Sequence, residues 1–297
     1  MKLIALVLAL VLERTLTRLL HLRELRWFDR YFDWALGRIG TRGGWRGGAL
    51  AAVLLLLPVL PVALVSIGLL QADIFWDVPY FLFAVLVLLF SLGPRDLGTE
   101  VQDYCDQLAA GDEAEAARIA KQLLETEAPT EYGRRDLAVE EAVLVQANNR
   151  VFGVLLFFIA FGPIGAWLFR VGDLFRRRAV FEAGRQEAAE GTPPYAIIER
   201  LHGLLAWVPA RLTCLGYALA GSFEEAVGAW RGYREQPARR FNDVNDELVA
   251  TVGRAALAKA PTESLVICVG AALRLVQRTV FIWVTVIALM TLFGWAI

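Results

Sequence analysis

Arg211 interrupts an oily run, LLAWVPARLTCLGYALAG at Leu204 to Gly221, and is the side chain there best equipped for chemistry. Pro209 suits the first turn of a helix, where its missing N–H costs nothing, and Trp207 suits a membrane interface. Arg211 is then expected in that first turn, among free backbone N–H groups and at the positive end of the helix dipole. A cation is unfavourable there on its own. An anion bound beside it reverses the sign, because N–H groups and a guanidinium fork then face one phosphate or carboxylate. A carboxylate partner such as Glu140, or a plain interfacial arginine, is the competing explanation.

Other charges border apolar stretches. Arg150 and Arg170 bracket VFGVLLFFIAFGPIGAWLF, and Asn148 lies two residues before Arg150. Glu140 and Glu141 sit on the helical pattern leading into that stretch, where one of them faces Arg170 or Arg211, or both belong to a solvated face. Glu13 and Arg14 end the first apolar run. A charge at mid-bilayer costs about 2.5 to 3.5 kcal/mol, so this pair either snorkels or serves a site.

Several chemistries are excluded. His21 and His202 are the only histidines, and Cys105, Cys214 and Cys268 are scattered, which leaves no zinc or redox spacing and no disulfide framework. No phosphate-binding P-loop, nucleophile elbow or dinucleotide fingerprint is present. RGGWRGG lies in a basic linker without strand context and reads as a flexible loop. Thirty basic and 31 acidic side chains are interspersed, which argues against a nucleic-acid surface. The triplet Arg176, Arg177 and Arg178 follows a membrane segment and reads as a contact for anionic lipid headgroups.

The elements that must position these groups are helices in a bilayer. With 57% apolar residues in 297, the chain is too greasy for one soluble domain. Gly48 to Leu70 carries no charge and is long enough to cross a hydrocarbon core about 30 Å thick. Val78 to Leu92 forms a hairpin with it, anchored by Phe75, Trp76 and Tyr80, and Val280 to Ile297 is a further uncharged span preceded by Arg274 and Arg278. The amino-terminal run resembles a signal peptide without a cleavage site and is expected as a retained anchor. Arg23, Arg26, Arg30, Arg38, Arg42 and Arg46 place their linker in the cytoplasm. Gly162-Pro163 breaks the Arg150–Arg170 stretch, which either re-enters the membrane as a hairpin or crosses it as a kinked span.

No strand-like alternation appears, so the fold is expected to be all-α, a polytopic helical membrane protein with helical cytoplasmic regions. Its expected segments are 1–92, an anchor and transmembrane hairpin; 93–150, a polar helical region; 151–171, the membrane or re-entrant segment; 172–279, a second polar helical region; and 280–297, a terminal transmembrane helix. Thr99 with Gln102, and Ser222 with Glu225, have capping-box spacing, and Gly111 breaks the first polar region into a helical hairpin.

WVPARL at Trp207 to Leu212 with GYAL soon after, VLER near the amino terminus, N-x-R at Asn148 to Arg150, and the apolar segment with Gly162 together resemble the AmpE family over nearly the whole chain. The resemblance implies a bacterial inner-membrane protein linked to cell-wall recycling and to regulation of β-lactamase induction. That family is in turn similar to the CbiB/CobD membrane enzymes of cobalamin biosynthesis, which form an amide with ATP. Their P-A-R-L-T stretch matches Pro209 to Thr213, while their E-N-x-x-D-G motif is replaced by QANNRVFG and their S-P-N stretch is missing.

Two functions follow. The first is a non-enzymatic sensor or signalling modulator binding an anionic nucleotide or cell-wall fragment through Arg211, with Arg170, Arg150, Glu140, Asn148 and Glu13 as further candidate ligand-binding residues. The second is an ATP- and Mg²⁺-dependent amide ligase in which Glu140 or Glu141 replaces the lost acidic motif. Two carboxylates meeting Arg211 in one pocket would mark the second. The expected surroundings are a lipid bilayer, with no nucleic acid and no bound metal.

Overall fold

The computed structural model describes residues 4–9, 27–71, 78–92, 97–125, 128–187, 191–234, 244–257 and 265–293. These are predominantly helical, with no strand among the described residues, and the chain is an all-α polytopic protein. Among the described residues four helical stretches are long and apolar enough to cross a membrane: Gly44–Gln71, Gly133–Arg185, Tyr195–Ala220 and Val269–Leu292; Val78–Ser91 is shorter. The chain divides into two compact units, one of Met1–Pro94, Gly153–Ala206 and Ile287–Ile297, the other of Arg95–Phe152 and Trp207–Val286.

In the first unit, α1 (Trp27–Ile39) buries Phe28, Phe32, Ala35, Leu36 and Ile39 along one stripe. A turn at Gly40, whose φ of +53° favours glycine, leads into α2 (Gly44–Leu56), a tight turn at Leu57–Val59 and α3 (Leu60–Gln71). Pro58 forces that turn, and the indole Nε1 of Trp167 donates to the Pro58 carbonyl at 3.1 Å. α4 (Val78–Ser91) packs on α8 (Gly153–Arg185), and Phe32 of α1 stacks on Phe175 with centroids 4.9 Å apart.

α8 is broken at Gly162, which adopts φ 65° and ψ −152°, and the chain doubles back there. A Cβ on Gly153 would lie 2.1 Å from the Phe169 ring, and one on Gly165 would lie 2.2 Å from the Phe157 carbonyl. In an unbroken helix the first pair would be about 24 Å apart. Small residues let the two arms touch.

In the second unit, α5 (Leu97–Ala110) and α6 (Glu113–Leu124) form the expected hairpin, with Gly111 at φ +77° and Asp112 capping α6 through the Glu115 N–H at 3.0 Å. α7 (Tyr132–Ala147) packs against α6 and against α11 (Val244–Ala256), which pairs with α10 (Phe223–Arg234). Its core includes Val143, Leu144, Ala210, Cys214, Tyr217, Val249 and Val252.

Four expectations change. Pro209 is not in a first turn, because α9 begins at Tyr195 and runs to Ala220, so Arg211 lies well inside a helix. An apolar helix tolerates an internal proline where neighbours re-satisfy the freed carbonyl. Thr99 lies within the first turn of α5 instead of capping it, since the helix already begins at Leu97. Ser222 does precede α10, but its own N–H donates to the Ala256 carbonyl at 2.8 Å, so the reciprocal arm to Glu225 is replaced by a tertiary bond. The last helix, α12 (Leu265–Leu292), starts earlier than Val280 and contains Arg274 and Arg278.

A valine at Gly153 should lower the melting temperature of the detergent-solubilised protein, at a cost of about 1–3 kcal/mol from overpacking, whereas Gly48→Ala, with nothing within 4 Å, should not. Because α6 and α11 both pack on α7, the two hairpins are expected on one side of a membrane, that of the arginine-rich linker. In a background with Cys105, Cys214 and Cys268 replaced by alanine, Ala110→Cys and Gly228→Cys should both resist an impermeant maleimide in intact cells. Labelling of one without the other would overturn the packing.

Candidate functional site

The site is built on a helical irregularity. α7 does not stop at Ala147 but widens into a π turn, Asn148–Phe152, in which Asn148, Asn149, Arg150 and Phe152 are buried. Two consecutive asparagines favour such a departure, because their side chains compete for backbone hydrogen bonds. The Leu144 carbonyl, at the start of the turn, accepts from the Tyr217 hydroxyl at 2.8 Å. π turns of this kind occur often at functional sites.

Two polar chains leave this turn. In one, Arg150 Nη1 donates to Glu100 at 2.7 Å and Arg150 Nε to Gln146 Oε1 at 2.9 Å, while Gln146 Nε2 donates to the Leu123 carbonyl at 3.1 Å and to Glu125 at 2.7 Å. With their side chains only 5% and 10% exposed, Arg150 and Glu100 form a buried ion pair. In the other, the Thr213 hydroxyl donates to Asn148 Oδ1 at 3.0 Å, Asn148 Nδ2 to Asn149 Oδ1 at 3.0 Å, and Asn149 Nδ2 to Asp246 at 3.4 Å.

Arg211 reaches the residue next to Asp246. Its Nη1 donates to Asn245 Oδ1 at 2.8 Å and to the Trp207 carbonyl at 2.8 Å, and its guanidinium carbon lies 4.1 Å from the centre of the Trp207 ring. Both bonds leave from one terminal nitrogen, so the edge formed by Nε and Nη2 remains for a ligand. Among the described residues no carboxylate bonds or pairs with Arg211. Trp207 is 46% exposed and Arg211 is half-buried.

Thus Pro209 to Thr213 and Gln146 to Arg150, far apart in sequence, converge in one polar cluster closed by α11. Arg211, Asn148 and Arg150 are brought together in the second unit. Glu140 is not joined to Arg211: it is buried 3.9 Å from Arg254, whose Nη1 bonds Glu141 at 2.7 Å. Both glutamates therefore face Arg254, and neither bonds Arg211. Arg170 belongs to the first unit, where Asp173 accepts from Arg170 at 3.0 Å and pairs with Arg176 at 3.2 Å and Arg177 at 2.9 Å. Glu13 lies outside the described residues. The internal position of Arg211 also removes the expected help of free N–H groups, since the helix-end effect fades within one turn.

Sequence reasoning missed Asn245, Asp246, Glu100 and Gln146. The one signal was VNDE, polar residues at the start of an apolar-periodic helix, which reads equally as ordinary capping chemistry. Nearby, burial and then the hydrogen bond to Asp136 push the Tyr104 phenol well above its ordinary range, and burial raises the Cys105 thiol, which keeps it from acting as a thiolate at neutral pH. Among the described residues no three His, Cys, Asp or Glu side chains gather in metal-binding geometry.

The whole chain, residues 1–297, matches the family model described as Regulatory signalling modulator protein AmpE. The chain is 31% identical over 211 residues to Cobalamin biosynthesis protein CobD of Stutzerimonas stutzeri (strain A1501), an overlap covering 68% of this chain and 62% of that protein. It is 26% identical over 223 residues to Protein AmpE of Shigella flexneri, covering 74% of this chain and 77% of the relative. This chain therefore spans less than two thirds of the cobalamin protein's length. No solved structure matches it.

Glu100→Gln should leave Arg150 charged and uncompensated in the interior, destabilising the protein by about 3–5 kcal/mol in a detergent melt. Glu115→Gln, which releases only the solvent-exposed Arg118, should leave the transition in place.

Proposed function

The chain belongs to the AmpE family, and from that premise we propose that this multi-pass membrane protein is an inner-membrane signalling modulator that binds an anionic ligand at Arg211. The role implied by the family is regulation of β-lactamase induction through cell-wall recycling, which makes an anionic cell-wall fragment the preferred ligand class. The observation that carries this reading is the company Arg211 keeps. Arg150 and Arg254, in the same unit, each contact a carboxylate, but Arg211 is held by Asn245, a backbone carbonyl and an indole face, all neutral. A half-buried guanidinium positioned by neutral acceptors keeps its full charge for an incoming anion.

The alternative, an ATP-dependent amide-forming enzyme like the cobalamin relatives, asks for more. Mg²⁺ against a triphosphate needs carboxylate oxygens beside the arginine. Among the described residues no carboxylate bonds Arg211: Glu140 and Glu141 face Arg254, and Asp246 accepts from Asn149. We assign no step to such chemistry. The folded-back arms around Gly162 support a re-entrant segment, entering and leaving on the arginine-rich, cytoplasmic side.

The test is thermal stability in detergent with an anionic N-acetylmuramyl peptide or with MgATP. A ligand at a hundred times its Kd adds about 2.7 kcal/mol. The muropeptide should stabilise wild type, and the gain should vanish in Arg211→Ala and fall sharply in Arg211→Lys, because a point charge cannot reproduce the fork. Stabilisation by MgATP alone would transfer the assignment to the ligase, and a muropeptide gain untouched by Arg211→Ala would remove Arg211 from the site.

A further inference from the structure

The arginines that look outward are not those of the RRR triplet. Arg176 and Arg177 pair with Asp173, and Arg178 bonds Asp33 at 2.7 and 2.8 Å and pairs with Glu182 at 2.7 Å. These contacts turn the triplet into internal cement of the first unit. Among the exposed cations of that unit, Arg38, Arg42 and Arg46 cluster at the junction of α1 and α2, in WALGRIGTRGGWR, Trp34 to Arg46, which contains no acidic residue. Asp33, the nearest acid, is already matched by Arg178.

Arg38, Arg42 and Arg46 are exposed, and no carboxylate pairs with them among the described residues. Arg38 lies 5.1 Å from the centre of the Trp34 ring and Arg46 lies 5.6 Å from that of Trp45, while Arg42 donates to the Arg38 carbonyl. Trp34 is 46% exposed on the face of α1 opposite its buried stripe, and Trp45 is 78% exposed at the start of α2. Directly after this rim come Val53, Leu56, Leu57, Leu60 and Leu64, exposed apolar side chains of the Gly44–Gln71 stretch. Such a surface belongs in hydrocarbon, so the rim stands at the boundary where headgroups begin.

We propose that Trp34, Arg38, Arg42, Trp45 and Arg46 form a docking surface for anionic phospholipid headgroups. Indole rings favour the headgroup layer, where an apolar body and a wet N–H are both satisfied. Three guanidiniums without internal acids complement phosphate charge, and they make bidentate bonds to phosphate oxygens. The cation–π contacts hold the arginines beside the rings, so one headgroup meets an indole and a guanidinium together. The surface uses none of the residues around Arg211, and the two proposals stand or fall separately.

Native mass spectrometry of the purified full chain, delipidated and titrated with equal phosphatidylglycerol and phosphatidylcholine, tests this. Wild type should retain phosphatidylglycerol preferentially. The triple variant Arg38→Gln, Arg42→Gln, Arg46→Gln should lose that preference, by about fivefold per arginine and on the order of a hundredfold together. Because all three side chains are exposed, its melting temperature in neutral detergent should match wild type. Gln replacements at the exposed Arg134 and Arg231 should change nothing, and raised salt should weaken the wild-type preference. Equal retention of both lipids by wild type, an undiminished preference in the triple variant, or a change in oligomeric state in place of lipid retention would overturn the proposal.

Discussion

A peptide group placed in hydrocarbon must find its hydrogen-bond partner inside the protein, and the architecture follows from that demand. Helices meet it along most of the chain. Where regular helix fails, a side chain stands at the break: Trp167 Nε1 on the Pro58 carbonyl, and the Tyr217 hydroxyl on the Leu144 carbonyl ahead of the π turn. Several hydroxyls within apolar helices are satisfied by the turn before them, as Ser91 is by Val87, Thr279 by Leu275 and Thr291 by Ile287. At Gly162 the backbone reverses, and glycines at 153 and 165 let ring and carbonyl press close on either side. The irregular points are therefore supported places, and the most polar of them, Asn148–Phe152, is the one around which the candidate site is organised.

Charge obeys the same economy. Removing an ion from water costs several kcal/mol unless a partner and further hydrogen bonds replace the solvent. Glu100 answers Arg150, Asp173 answers Arg170, and Glu140 with Glu141 answers Arg254. Against that pattern Arg211 differs in kind, because its position is fixed by an amide, a carbonyl and an indole that leave its charge intact. Arg38, Arg42 and Arg46 solve the problem differently, by staying exposed. Buried and paired, half-buried and held by neutral groups, exposed and stacked on indoles: these three environments separate structural arginines from those available to ligands.

Sequence reasoning reached some of this and missed the rest for definable reasons. It located Arg211 but placed it at a helix start, because Pro209 is the strongest local signal of one; twelve residues of compatible pattern from Tyr195 to Ala206 override that signal. It grouped Arg170 and Glu140 with Arg211 because all three lie near apolar segments, whereas each is held by a different partner. It sent the RRR triplet to lipid and RGGWRGG to a flexible loop, whereas the triplet pairs with Asp33, Asp173 and Glu182 and a helix already begins at Gly44.

What the chain's order of residues determined alone is the all-α class, the long apolar stretches, the hairpin turning at Gly111, the break at Gly162-Pro163 and the lack of common catalytic motifs. Each is a local property, carried by consecutive side chains through hydropathy, periodicity or a forbidden backbone angle. Tertiary structure decided the pairing of charges: Arg150 with Glu100 across fifty positions, Arg254 with Glu141 across 113, and Arg211 with Asn245 across 34. Whether an arginine is cement or a binding group depends on a carboxylate arriving from elsewhere in the chain, and no local pattern encodes that arrival.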